Sequence, residues 1–335
     1  MNYQKKLRLL HALAVNRLRP SVPFLRIIPT DFCNLRCSYC WQHSRDRHAM
    51  TYEEFDACLR NGLALDVGLI SFLGGEPTLW PHLTQAIAAC SAHGVCTDIT
   101  TNGSTLTPDS IAELAECGLD LLNISVDGLE KTKTSQKACL SRPELLAALR
   151  HTSATRGMRA RINAVICKDN WPFIQDLIRL TDEESLPISL GFAMYRSAEE
   201  FDPKIHFGVD DAAFVSEIAG FLREAKRRGS SIIDPLSYFE GYPRFLQGEC
   251  FWRCNYATRR GWINVDPYGF IRDCTKKLTR LPYPFATLSR ADLRQVRQSL
   301  AAGVEQCNRS CYSNCAFDGA YYAKHKLQLL KSRIL

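Results

Sequence analysis

Three cysteines stand close together in the stretch Thr30-Asp31-Phe32-Cys33-Asn34-Leu35-Arg36-Cys37-Ser38-Tyr39-Cys40-Trp41, spaced C-x3-C-x2-C. Three thiolates on one short loop can wrap one face of a cubane, and thiolate is the usual ligand of iron–sulfur clusters, which four cysteines normally complete. No fourth cysteine follows nearby in the chain. The spacing therefore leaves one iron open for a substrate or cofactor, by the logic that separates catalytic from structural zinc. A zinc site is the alternative that these residues alone leave standing.

The chain carries 15 cysteines in 335 residues. Nine of them fall in three groups, at 33–40, 250–274 and 307–315. A disulfide scaffold would be short and secreted, so reduced thiolates that bind metal are the better account of so long a chain, and they place it in the cytoplasm. The net charge of +7 comes largely from the two ends of the chain. It suits an acidic substrate or an acidic electron donor better than nucleic acid. No apolar run approaches the roughly eighteen residues of a membrane span. Residues 1–23 read as a basic amphipathic helix rather than a signal peptide, because His11 and Arg17 interrupt the apolar stretch. Such a helix packs on the body of the protein or touches an anionic surface.

From residue 24 to about 235, β-rich runs alternate with helical patterns, the βαβα signature of a parallel sheet or barrel. The strands are expected at Leu25–Thr30, Gly68–Leu73, Thr97–Thr101, Leu121–Val126, Ala160–Cys167 and Ile188–Met194. Helices are expected to start near Thr51, Trp80, Thr107, Arg142, Trp171 and Asp210. Thr51 with Glu54, and Thr107 ahead of Pro108 and Asp109, supply capping chemistry. Polar and glycine-rich residues thus gather at the C-terminal ends of successive strands, where such folds build their sites.

These strand ends carry ordered motifs. Phe72-Leu73-Gly74-Gly75-Glu76-Pro77 closes the second; its glycines permit close backbone approach to a ligand and leave Glu76 and peptide groups for the ammonium of a bound amino acid. Asn102 ends the third strand, Ser125 and Asp127 the fourth, and Met194 the sixth. Taken with the cysteine spacing, residues 24–200 resemble the radical S-adenosylmethionine (SAM) superfamily, in which Tyr39 matches the aromatic before the last cysteine. The resemblance implies a partial (β/α)6 TIM-like barrel whose [4Fe–4S] cluster has an open iron site for SAM. It also implies that Gly74, Gly75 and Glu76 hold the methionine moiety. Asn102 and Ser125 would contact the ribose, with Asp127 in support, and Met194 would lie at the adenine.

Beyond residue 235 the pattern changes to short elements, aromatics and cysteines. Cys254 and Cys274 flank Val265-Asp266-Pro267-Tyr268-Gly269-Phe270, which reads as a hairpin that brings both cysteines to one end. Cys250, Cys307, Cys311 and Cys315 supply further thiols, and an apolar, basic helix is expected over 321–335. The C-x14-G-x4-C element resembles the SPASM/twitch auxiliary-cluster domains of the superfamily. That resemblance implies a small cysteine-rich α+β domain over 236–335 holding one auxiliary [4Fe–4S] cluster, its ligands drawn from these six cysteines; structural zinc is the alternative. Thr275 stands where several SPASM members have an acidic base, so no catalytic acid or base is assigned. Arg259, Arg260, Lys276 and Lys277 would suit a phosphate or carboxylate. His43 and His48 follow the cluster loop. Cys58, Cys90, Cys96, Cys117, Cys139 and Cys167 read as small buried hydrophobes.

The function implied is reductive cleavage of SAM and hydrogen-atom abstraction from a substrate, with a flavodoxin- or ferredoxin-type electron donor. Peptide modification comes first by family analogy. Oxidation or rearrangement of a small sugar, nucleotide or amino-acid-derived metabolite is the alternative, and a non-catalytic metal scaffold the third reading.

Overall fold

In β5 (Arg159–Ile166) every second residue, Ala160, Ile162, Ala164 and Ile166, is buried in the core, while Arg159, Arg161 and Asn163 alternate with them. β5 lies in a parallel sheet with β1 (Phe24–Ile27), β2 (Leu69–Phe72), β3 (Cys96–Thr101), β4 (Leu121–Ser125) and β6 (Ile188–Phe192). The computed structural model describes residues 3–42, 46–195, 197–249, 251–252, 254, 256, 261–274, 276–307, 311–314, 316–317 and 321. The crossovers carry α2 (Tyr52–Ala64), α3 (Leu83–Ala92), α4 (Pro108–Glu116), α5 (Pro143–Arg156) and α6 (Trp171–Glu183), and α7 (Ala212–Arg227) follows β6. This is the mixed α/β, partial-barrel architecture expected from the alternation. Thr51 and Glu54 form a reciprocal capping box at α2, as Thr107 and Ser110 do at α4.

The C-terminal strands extend the sheet of the first six. β7 (Ile263–Val265), β8 (Phe270–Arg272) and β9 (Arg280–Pro284) continue the same sheet, in the order β6-β5-β4-β3-β2-β1-β7-β8-β9. β7 pairs parallel with β1, aligning Ile263 with Leu25 and Val265 with Ile27, so the apolar face runs on unbroken. The edge of β1 is thereby covered rather than left as an open row of backbone donors and acceptors. The hairpin itself forms as expected, with Gly269 in the left-handed region at its turn. α8 (Leu236–Leu246) and the segment around Tyr312 lock this region to β6 through stacked aromatics: Phe192 on Tyr242 at 4.0 Å and Tyr238 on Tyr312 at 5.1 Å. α9 (Asp292–Cys307) follows β9. Of the helix expected over 321–335, only Tyr321 lies within the described residues.

α1 (Tyr3–Leu18) packs against the N-terminal ends of the strands rather than standing free. Lys5 is buried there, donating to Asp120 at 2.8 Å and to the Gly118 carbonyl at 2.6 Å. Removing one partner of a buried ion pair strands the other in low dielectric, so Lys5→Met should destabilise the fold by about 3–5 kcal/mol. Urea unfolding would read this, with partial recovery expected in the Lys5→Met/Asp120→Asn double variant. No described helix is long and apolar enough to cross a membrane.

Candidate functional site

Parallel strands send their C-terminal ends to one rim, so the loops after β1 to β6 converge there. The loop after β1 holds Cys33, Cys37 and Cys40, of which Cys37 is buried and the other two half-buried. The sulfurs already collect donors: the Leu35 N–H and the Asn102 amide reach Cys33 at 3.4 and 3.7 Å, and the Gln136 N–H reaches Cys37 at 3.4 Å. Burial, more than any neighbour, pushes the Cys33 thiol up. Donors aimed at sulfur stabilise a ligating thiolate and tune the iron it carries. Among the described residues, no three His, Cys, Asp or Glu side chains converge as the ligands of a single ion would. Three thiols on one loop, supplied with sulfur-directed donors, fit a [4Fe–4S] cluster.

Lys137, in the loop after β4, was not visible to sequence reasoning. Burial works against its charge, but Asp127 and the thiols of Cys40, Cys37 and Cys33 outweigh this and raise its pKa. The ammonium therefore lies within electrostatic reach of all three cysteines. It donates to the Tyr39 hydroxyl at 2.9 Å, and that hydroxyl donates in a short hydrogen bond to Asp127. Asp127 also accepts from the Ser135 hydroxyl at 2.6 Å and the Val165 N–H at 2.7 Å. Its carboxylate joins the cluster loop, the loop after β4 and β5, and it is almost fully buried. Ser125 ends β4 half-buried, in register with Asn163, and Met194 is buried after β6.

The glycine pair makes a close contact with the cluster loop. Gly74 takes φ = 145°, and a side chain there would lie 2.5 Å from the Thr30 carbonyl. The Gly75 N–H donates to the Thr30 carbonyl at 3.0 Å and the Glu76 N–H to the Phe32 carbonyl at 2.9 Å. The close approach is thus to the cluster loop itself, and these two N–H groups are spent on it. Glu76 is fully buried, accepting from Thr78, from the Thr101 hydroxyl at 2.6 Å and from the Asn102 N–H at 2.7 Å. These donors make the carboxylate a strut that sets Asn102 beside Cys33. From the far side, Arg272 on β8 forks onto Asp31 at 2.9 and 2.5 Å, so the C-terminal hairpin clamps the entrance to the cluster loop.

A second group of thiols lies in the C-terminal region. Cys274 and Cys307 both act electrostatically on Cys254, Cys307 acts on Cys274, and Cys311 shares a hydrogen bond with Cys307. Burial pushes the Cys254 thiol up to about 11. Lys276, which would suit a phosphate or carboxylate, is buried and acts electrostatically on Cys311. Cys250, Cys315, Thr275, Arg259, Arg260 and His43 lie outside the described residues. His48 stacks on Tyr268 at 4.0 Å.

Of the remaining cysteines, five are buried and Cys117 is half-buried. Burial chiefly raises the thiols of Cys58, Cys90 and Cys96 to about 12 and that of Cys139 to about 11. Cys167, distant in sequence from the cluster loop, packs with Cys37 and Tyr39 in one small apolar group. Burial drives its thiol strongly upward, so it stays protonated beside Cys37.

The family model for the radical SAM superfamily matches residues 27–152. The chain is 32% identical over 167 residues to a GTP 3',8-cyclase of Paracoccus denitrificans, covering 47% of this chain and 48% of that protein. A GTP 3',8-cyclase of Clostridium perfringens is 29% identical over 275 residues, covering 76% and 80%. The chain thus spans about half the length of the first of these relatives. In fold, it is similar to SuiB of Streptococcus suis bound to S-adenosylmethionine, with a TM-score of 0.60 and 20% identity over 84% of this chain and 68% of that one.

Proposed function

We propose, from the premise that this chain is a radical SAM enzyme, that it abstracts a hydrogen atom from a small polar metabolite and carries one auxiliary cluster. The observation that supports the reading best is the Lys137 cation within electrostatic reach of Cys33, Cys37 and Cys40 at the rim. Held by Cys33, Cys37 and Cys40, the cluster would supply SAM with the electron for reductive carbon–sulfur cleavage and so the capacity to abstract a substrate hydrogen atom. The residues do the positioning. Lys137 offers an ammonium to the carboxylate of the cofactor's methionine, Tyr39 and Asp127 hold that ammonium in place, and Glu76 with Asn102 braces Cys33. Ser125 and Met194 remain assigned to the ribose and adenine, and Gly74 and Gly75 to the wall of the methionine site. Cys254, Cys274, Cys307 and Cys311 are assigned to the auxiliary cluster.

A nucleotide is the substrate class the cyclase relatives bring forward. Peptide modification, the first expectation, has only fold likeness behind it. A cytoplasmic setting and a flavodoxin- or ferredoxin-type donor follow from the need for reduced thiolates and an electron source. The division at 24–235 and 236–335 is retained as the functional one, cofactor site against auxiliary site.

The test is anaerobic incubation of reconstituted protein with SAM, dithionite and nucleoside triphosphates deuterated on the ribose. Deuterium in 5′-deoxyadenosine is expected. Absence of any 5′-deoxyadenosine would overturn the reading, and its formation without deuterium from any nucleotide would remove that substrate class. Lys137→Met should raise the KM for SAM roughly tenfold or more, as loss of one charge-assisted contact does, with iron content unchanged.

A further inference from the structure

One face of α1 is packed against the protein, through Lys5, Leu9, Ala12 and Asn16. The seat is close: a Cβ at Gly68 would lie 2.9 Å from the Ala12 Cβ and 3.0 Å from the Leu9 Cα. Arg8 turns back to donate to the carbonyls of Val67 and His93, at 2.9 and 3.2 Å. Lys5 reaches Asp120 ahead of β4, and its carbonyl accepts from the Cys96 thiol at the start of β3. The helix is thus fixed at the N-terminal ends of the strands, the end opposite the cysteine rim.

The face turned away from the protein is apolar as well. Tyr3, Leu7, Leu10, Ala14 and Leu18 are all exposed, Tyr3 by 74% and Leu18 by 85%. At 3.6 residues per turn these five fall within about 80° of arc and run about 22 Å along the axis. Packing on the protein needs one apolar stripe, so a second one, contiguous and in solvent, marks a surface that meets something else. Lys6 and Arg17 lie along one edge of this stripe and His11 along the other, and residues 1–23 contain no Asp or Glu.

Charge selects the occupant. A second copy of this helix, or the chain's own stretch 324–335 with Lys324, Lys326, Lys331 and Arg333, would set like charge against like. The complement is anionic. Shape selects further: the sheet backs α1, which leaves no room for the walls of a binding groove to close around it, whereas a plane reaches a narrow stripe along its whole length. Leucines and a tyrosine bordered by basic side chains are the arrangement of a helix that lies in a bilayer interface. We infer that the outer face of α1 docks this enzyme on an anionic lipid bilayer, with Leu7, Leu10 and Leu18 in the headgroup boundary and Lys6 and Arg17 against lipid phosphates. Docked in this way, the cysteine rim faces away from the membrane and stays open to substrate and electron donor. The inference does not depend on which substrate the rim takes.

The experiment is anaerobic co-sedimentation of the reconstituted full chain with vesicles of mixed phosphatidylglycerol and phosphatidylcholine, against vesicles of phosphatidylcholine alone. Binding to the mixed vesicles only is expected. It should weaken roughly tenfold or more between about 0.1 M and 1 M salt, as the Debye length falls from about 10 Å to about 3 Å. Leu7→Gln/Leu10→Gln/Leu18→Gln should weaken it roughly tenfold or more by removing the inserted apolar surface. Lys6→Gln/Arg17→Gln should do the same by removing two basic contacts to the anionic leaflet. Both variants leave the packed face intact; circular dichroism checks their folding, and either one suffices should the other not fold. Binding to neither vesicle, equal binding to both, binding undiminished by salt, or binding that the folded variants retain overturns the inference. A wild-type dimer in light scattering that the leucine variant loses, without vesicle binding, assigns the stripe to a second copy and overturns it equally.

Discussion

Replacing Cys33, Cys37 and Cys40 together by alanine is expected to bring 5′-deoxyadenosine formation to background while about four irons per chain remain, against about eight in the reconstituted wild type. The three thiols occupy one loop and share one ammonium, so no partial site survives their removal. The second group is built from α9 and the residues flanking the β7–β8 hairpin. A cluster there does not draw on the first loop. Iron near zero in the triple variant would remove the auxiliary cluster from the proposal. Undiminished 5′-deoxyadenosine would remove the first site. The complementary variant Cys254→Ala/Cys274→Ala should also lose about four irons, and it keeps the two assignments separable.

Gly75→Ala should be nearly as damaging, although it adds one methyl group. The new Cβ would lie 2.1 Å from the Phe32 carbonyl oxygen, 2.4 Å from its carbon and 2.5 Å from the Asp31 carbonyl oxygen. All three are backbone atoms, and none can swing away as a side chain would. The hydrogen bonds from Gly75 and Glu76 hold the two segments together at this spot, and Arg272 pins Asp31 from the other side. The loop therefore has to move as a unit, carrying Cys33 out of register with Asn102. Loss of half the iron and a destabilisation of about 4 kcal/mol or more is expected, in the range reserved for core overpacking and broken networks. Gly94→Ala is the control: that glycine has φ = 68°, and an added methyl group would meet nothing within 4 Å, so only the backbone strain of about 1 kcal/mol should appear. Iron analysis and urea unfolding read both variants. Full iron in Gly75→Ala would show that the contact between the two loops is not required.

The parts of the molecule legible in the sequence are those that local interactions decide. The C-x3-C-x2-C loop, the capping residues Thr51 and Thr107, the alternation in β5 and the turn at Gly269 each depend on a few neighbouring residues. A thiolate's affinity for iron, a side-chain cap and a two-residue period act over such distances, so their spacing is written in the chain. The β-strand positions followed from the same alternation, within one to three residues at their ends.

What only the tertiary structure decided are the relations between residues a hundred or more positions apart. That β7 pairs with β1 depends on an edge needing cover and an apolar face that continues across it. The partners of Glu76 and Asp127 come from segments remote in sequence, so only folding shows that donors surround each carboxylate. Lys137 carried no signal, since a lone lysine in a loop gains meaning only when three thiols and a carboxylate are brought around it. Cys167 gained its place beside Cys37 in the same way. The sequence by itself determined that three cysteines could hold a cluster at the end of the first strand. Long-range packing determined which groups surround that loop, because burial and charge depend on every segment that folds against it.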